Sequence, residues 1–213
     1  MSRLVLASRS PRRKALLERL GLVLEISPAE VDESRRPGEA PRRHVRRLAA
    51  EKARKVAKAL VGEGRAFVIG ADTEVVLDGE ALGKPADLED ARRMLHLLSG
   101  RRHEVITGYA ILPVPRPVPR SAPGASVTSG VVSTQVELKA LDEDEIDAYL
   151  ATGEPMHKAG AYAIQGVGAF LVRRIRGSHS NVIGLPVCEV VEALRALGAI
   201  ASPIGPSARP DEQ

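Results

Sequence analysis

Apolar residues in this chain fall into short continuous runs and helical stripes that follow one another. Residues 4–7 (Leu-Val-Leu-Ala) form an apolar run of strand length. Pro11 then stands where a helix can begin, because its missing N–H is an orphan there anyway. The pattern predicts a helix over 11–20, stopped by Gly21. Residues 23–26 read as a second strand, followed by a polar loop with Asp32 and Glu33. Val45, Leu48, Ala49, Ala53, Val56 and Leu60 have helical spacing, which predicts a long helix over 41–60. The run at 67–72 reads as a strand that ends in Asp72, and residues 75–77 and 81–82 flank the hairpin signal Asp78-Gly79. A helix is expected over 87–98 and strands over 105–112 and 131–141. Asp142, with Glu145 three residues on, predicts a capped helix start. Residues 161–164 and 169–172 read as strands parted by Gly166 and Gly168, and 185–197 as a last helix.

Hairpins require antiparallel pairs, so the expected fold is α/β with a mixed, twisted sheet flanked by helices, not a strictly alternating parallel one. One domain over 1–200 is expected, with 201–213 as a disordered tail. The five prolines within 113–129 predict an exposed, mobile hairpin tip. Neither G-x-G-x-x-G nor a Walker A sequence occurs, which removes two familiar phosphate-binding solutions.

Charge sharpens this picture. The chain of 213 residues carries a net +4, with arginines at 35, 36, 42, 43, 46 and 47. Only 2% of residues are aromatic and none is Trp, so platforms for stacking bases are scarce and nucleic acid is a poor partner. A small polyanionic substrate accounts for part of the charge and a solvated, Arg-rich surface for the rest. The single cysteine, Cys188, excludes an internal disulfide and reads as a buried thiol within the apolar run 182–191. Without a long apolar run or a signal-peptide pattern, a membrane span is not expected and a cytoplasmic location is.

Four places could carry chemistry. Ser8, Ser10, Arg12 and Arg13 cluster at the start of the first helix, where backbone N–H groups and the dipole already favour an anion. Asp72-Thr73 puts a carboxylate where open α/β sheets place ligands, able to act as a base or to hold a hard cation. Lys84 lies between Gly83 and Pro85 on a near-fixed turn. Gln165, in a stretch of small residues, offers an amide donor and acceptor that match two adjacent sites on the imide edge of uracil or thymine; a Glu there would suit guanine. Each also has an ordinary reading, as a turn, a cap or a solvated charge. His44, His96, His103, His157 and His179 lack metal-ligand spacing and read as surface groups or supports behind a site. Ser178-His179-Ser180 lacks the strand–turn–helix setting of a nucleophile.

These residues lie in blocks that resemble the Maf family of nucleoside triphosphate pyrophosphatases: LASRSPRRKALLERLG at 6–21, VDES at 31–34, EKA at 51–53, IGADTEVVLDGEALGKP at 69–85, LSGRRHEVITG at 98–108, EIDAYLATGEP at 145–155, KAGAYAIQG at 158–166 and GSHSNVIGLP at 177–186. The resemblance implies two lobes around a deep nucleotide groove, of the Maf and ITPase kind. It implies Asp72 as proton acceptor, and Ser8, Arg12, Arg13, Lys52 and Lys84 along the triphosphate. Arg12, Thr73 and Gln165 fall on positions tied to base choice, and the Gln points to the dTTP and UTP branch. A divalent cation, usually Mg²⁺, is implied, with Glu33 and Asp72 as its candidate ligands. The family is also associated with arrest of cell division. The rivals are a pyrophosphatase for methylated GTP and a low-turnover nucleotide-binding regulator of division. His157 departs from the family's usual Asp before KAG. Whether the chain works alone or as a homodimer is left open by the sequence.

Overall fold

The first apolar run becomes β1 (Arg3–Leu6), which lies between two parallel neighbours, β2 (Leu24–Ile26) and β3 (Ala66–Leu77). A strand flanked on both sides and covered on both faces needs such a run. α1 (Pro11–Glu18) connects β1 to β2, and α2 (Pro41–Ala59) connects β2 to β3. From β3 onward every pairing is antiparallel: β4 (Glu80–Leu82) folds back on the end of β3, and β5 (Arg102–Val114), β6 (Thr128–Leu138) and β7 (Val172–Arg176) follow. The sheet order is β2-β1-β3-β5-β6-β7, with β4 also beside β3. α3 (Leu88–Leu98), α4 (Glu143–Ala151), α5 (His179–Ile183) and α6 (Val187–Ala196) complete the fold. This computed structural model describes residues 3–62, 64–114, 127–202 and 204. The expected mixed sheet flanked by helices is the one that forms. Most of the expected proline-rich tip, and nearly all of the expected tail, lie outside the described residues.

The long strand β3 decides where a ligand can enter. On one edge it pairs with β5 from Ala66 to Val76. On the other edge it pairs with β1 through Ala66–Ile69 and with β4 through Val75–Leu77. Between them, Gly70 to Glu74 have no strand on that edge. Asp72 and Thr73 therefore lie in a gap in mid-strand, not at the strand's exit as the apolar run suggested. Successive residues point to opposite faces. Asp72 faces α2, whereas Thr73 faces α5.

Two glycines set the height of α2 above the sheet. A Cβ on Gly70 would lie 2.1 Å from the carbonyl oxygen of Ala49, and one on Gly108 would lie 2.4 Å from that of Val45. Asp72 pairs with Gly108 across β3 and β5. With no side chain at either position, the α2 backbone rests on the sheet beside Asp72. Val5, Ala49, Ala53, Val56, Val68, Ala110 and Leu112 pack beneath it. The opposite face carries two further clusters, one under α1 and α6 around Leu6, Phe67 and Leu194, the other under α3 and α4 around Leu95, Leu98 and Tyr149.

The structure corrects several local expectations. Residues 161–164 and 169–172 do not form the two strands read from the sequence. Two 3-10 helices (Ala159–Ala161 and Gly166–Leu171) occur there, and β7 begins only at Val172. Gly160, Ala161 and Gly166 all have positive φ, which breaks a β ladder. The sequence pattern does not predict α5, which gives Ser178-His179-Ser180 a strand–turn–helix setting after all. Ser178 Oγ nevertheless caps Asn181 N at 3.2 Å, and His179 is exposed, so no nucleophile–base pair forms. Cys188 is exposed, not buried. His103 is a core residue, with Nε2 2.7 Å from the hydroxyl of Tyr162. No helix among the described residues is long and apolar enough to cross a membrane.

Candidate active site

The gap in β3 opens into a groove of about 1140 Å³ lined by the β1–α1 turn, the loop before α2, mid-β3, the Gly83-Lys84 turn and residues 156–165. Every residue expected to act borders it: Ser8, Arg12, Arg13, Glu33, Lys52, Asp72, Thr73, Lys84 and Gln165. A smaller cavity of about 390 Å³, near the start of α2, contains none of them.

On the α2 face, Lys52 is the central charge. It is 7% exposed, on the side of α2 that presses on the sheet. Its Nζ lies 2.7 Å from Asp72 Oδ1 and 2.6 Å from Glu33 Oε1. No other side-chain bond to Asp72 forms among the described residues, so Oδ2 is free for a ligand. Burial works to raise the pKa of Glu33, but the Lys52 bond and the charges of Lys52, Lys84 and Arg13 outweigh it and hold the carboxyl below its ordinary value.

The loop carrying Glu33 is tied down by the arginines that the sequence assigned to a solvated face. Arg47 donates to both carboxylate oxygens of Glu39 at 2.7 Å and to the carbonyl of Ser34 at 3.0 Å. Arg35 pairs with Glu74 at 2.7 Å and Arg36 with Glu51 at 3.1 Å. His44 Nε2 meets the carbonyl of Glu33 at 3.2 Å. These ion pairs absorb positive charge that composition alone attributes to a partner.

On the other face, Arg13 is engaged by protein. It donates to the carbonyl of Gly184 at 2.7 Å, Ser8 Oγ at 3.1 Å, the carbonyl of Ala71 at 3.0 Å and Thr73 Oγ1 at 2.9 Å. Ala71 lies in the gap, so Arg13 supplies the donor that a neighbouring strand would have given. Four of its five N–H groups are thus committed. Arg13 frames the groove more than it offers itself to a phosphate. Thr73 Oγ1 also contacts Thr107 Oγ1 at 2.9 Å, which ties it into the same network.

Ser8 Oγ accepts from Ser10 N at 3.2 Å as well as from Arg13, which leaves its own proton to donate. Ser10 caps α1 through Arg13 N. Arg12, Lys84 and Gln165 make no side-chain hydrogen bond among the described residues, so their polar groups are available. Burial lowers the pKa of Arg12, with Glu154 opposing it; burial and then Arg12 lower that of Lys158. Cations crowded this way gain from a polyanion between them.

His157 has φ +66°, in the left-handed region where Asn, Asp and His are the usual non-glycine occupants. That gives a backbone reason for either His or Asp there. Lys158 Nζ donates to the backbone carbonyl of Glu154, so its placement does not depend on the side chain at 157.

Whether these residues suit a divalent cation can be judged from their donors. No group of three or more His, Cys, Asp or Glu poised for a metal exists among the described residues. Two carboxylates do converge on one ammonium, and Mg²⁺ commonly takes one or two carboxylates and completes its shell with water and phosphate oxygens. Glu33 and Asp72 fit such an ion, with the Lys52 ammonium standing between them.

Fold and groove together define a mixed-sheet α/β protein with a cation-rimmed cleft around two carboxylates paired with one buried lysine. A model of the family described as Maf-like protein matches residues 3–197, and the chain belongs to that family. A protein of Anaeromyxobacter dehalogenans (strain 2CP-C) named dTTP/UTP pyrophosphatase is 54% identical over 197 residues, covering 92% of this chain and 94% of its own. One of the same name from Geobacter sp. (strain M21) is 52% identical over 201 residues, covering 94% and 98%. Among solved structures, a nucleoside-triphosphatase (dITP/XTP pyrophosphatase) from Mycobacterium abscessus aligns over 92% of this chain and 96% of its own, at 16% identity and a TM-score of 0.41.

Proposed function

We propose that this chain hydrolyses dTTP and UTP to the monophosphate and pyrophosphate, the activity for which its relatives are named. The observation that supports it most is the pairing of Asp72 with Lys52 at 2.7 Å, in a groove that also presents free cations and a free glutamine amide.

In this reading Asp72 takes a proton from a water whose oxygen attacks the α-phosphorus. The bond from that phosphorus to the bridging oxygen breaks, and pyrophosphate leaves with the electron pair. Lys52 fixes Asp72 by one oxygen and directs the other at the water. Arg12, Lys84 and the Ser8 hydroxyl meet the charge that grows on the leaving group; such fixed charges do most of the work in phosphoryl transfer. Arg13 holds Ser8, Ala71 and Thr73 in register. A divalent cation bound by Glu33 and Asp72 together with the phosphates would neutralise phosphoryl oxygens and act as a Lewis acid. Gln165 reads the base, its amide N–H meeting a carbonyl and its amide oxygen the imide N–H, with Arg12 and Thr73 beside it. Such an enzyme works on the cytoplasmic nucleotide pool.

Product analysis with dTTP, UTP and methylated GTP in Mg²⁺ tests this. Pyrophosphate as the first product, with the pyrimidine nucleotides preferred, is the expected result. Orthophosphate as the first product, or full turnover by Asp72→Asn, contradicts it.

A further inference from the structure

We infer that Glu154 is a positioning residue for base choice, whose carboxylate clamps the turn that presents Gln165 to the nucleotide. This rests on Gln165 being the group that contacts the base.

Glu154 does not border the groove. It follows the end of α4, where its backbone N–H is held by Thr152 Oγ1 at 3.1 Å. Its Oε2 accepts from the backbone N–H of Gly168 at 2.7 Å. The hydroxyl of Tyr149 accepts from the backbone N–H of Ala163 at 3.2 Å. The Gly168–Glu154 and Ala163–Tyr149 bonds therefore hold the two ends of the segment 163–168. Gln165 lies inside that segment, and its own side chain has no hydrogen bond to the described protein to fix it. A free amide can read a base only if its backbone is held, because one ångström of drift removes a paired hydrogen bond.

The flanking glycines fit the same account. Gly166 has φ +73°, and a Cβ there would lie 2.2 Å from Glu154 Oε1. A Cβ on Gly168 would lie 2.5 Å from the Tyr149 hydroxyl and 2.4 Å from the carbonyl of Ala163. The backbone is thus wrapped directly on the carboxylate and the phenol, an approach that a side chain at 166 or 168 would block. The backbone carbonyl of Glu154 also holds Lys158 Nζ. One residue behind the wall thereby holds the turn of Gln165 and the ammonium of Lys158, both of which line the groove.

The test compares kcat and KM for UTP and GTP, by pyrophosphate release, in the wild type, Glu154→Ala, Glu154→Gln, Tyr149→Phe and Gln165→Ala. Glu154→Ala is expected to lower the UTP-over-GTP ratio of kcat/KM about tenfold, chiefly through KM for UTP. Glu154→Gln keeps an oxygen for the Gly168 N–H and restores most of that ratio. Tyr149→Phe opens the other end of the segment and shifts the ratio the same way, which tests the inference even if Glu154→Ala does not fold. An unchanged ratio in folded Glu154→Ala or Tyr149→Phe, or an equal loss on both nucleotides, overturns it. If Gln165→Ala itself leaves the ratio unchanged, the base-contact reading fails and the clamp with it; if only Gln165→Ala changes it, the clamp alone fails.

Discussion

Lys52 Nζ lies 2.7 Å from Asp72 Oδ1, although the two residues belong to a helix and a strand 20 positions apart. Glu33 completes the group from a third segment, at 2.6 Å from the same ammonium. A buried ammonium thus stands between the two carboxylates that fit a divalent cation.

Lys52→Gln is therefore expected to act in two directions. Removing a buried partner leaves two carboxylates facing each other, a strongly unfavourable state that a cation relieves. Binding of Mn²⁺ without nucleotide, followed by electron paramagnetic resonance, should tighten about tenfold. Turnover should fall about a hundredfold, because the lysine no longer orients Asp72 or meets the triphosphate.

Gln165→Glu replaces the amide donor with a second acceptor. The imide edge then faces a carboxylate with one mismatched site, while the guanine edge gains an acceptor for both of its N–H groups. The UTP-over-GTP ratio of kcat/KM should fall about a hundredfold, measured by competition between the two nucleotides.

Gly70→Ala tests the seat of α2. The new Cβ would meet the Ala49 carbonyl oxygen at 2.1 Å, a backbone atom that cannot swing away. The helix must lift, at about 3 kcal/mol or more. The melting temperature should drop by roughly 10 °C, and kcat should fall too because Lys52 moves with α2 away from Asp72.

His103 should make the fold acid-sensitive. Burial pushes its pKa down to about 4 from an ordinary 6.5. The folded imidazole stays neutral where the unfolded one takes a proton, so stability rises with pH across that window and is lost as pH falls from 6.5 toward 4. The full effect is about 3 kcal/mol. Thermal melts at pH 7.5, 5.5 and 4.5 should show the loss, and His103→Phe should flatten that part of the profile.

Local chemistry made much of the architecture legible. β1, the long helix α2, the Asp78-Gly79 hairpin and the capping box of Asp142 and Glu145 all follow from periodicity, caps and turn residues. The segment after α4 misled because its short apolar runs look like strands, while Ala161 takes a positive φ that no composition announces. Arg35, Arg36 and Arg47 misled for a related reason. A run of arginines shows charge but not partners, and their glutamates come from the loop, α2 and β3.

The sequence by itself determined which chemistry is present: a carboxylate in an apolar strand, cations at a helix start and on a turn, and a glutamine among small residues. Those are properties of side chains and short-range pattern. Tertiary structure decided which of these groups are free. Arg13 and Arg12 are adjacent in sequence, yet Arg13 is engaged on four sides while Arg12 faces the groove. That division depends on a gap in β3 between the ends of β1 and β4, and on two glycines that let α2 touch the sheet. Both are facts about long-range pairing and close approach, which exist only once the chain has packed.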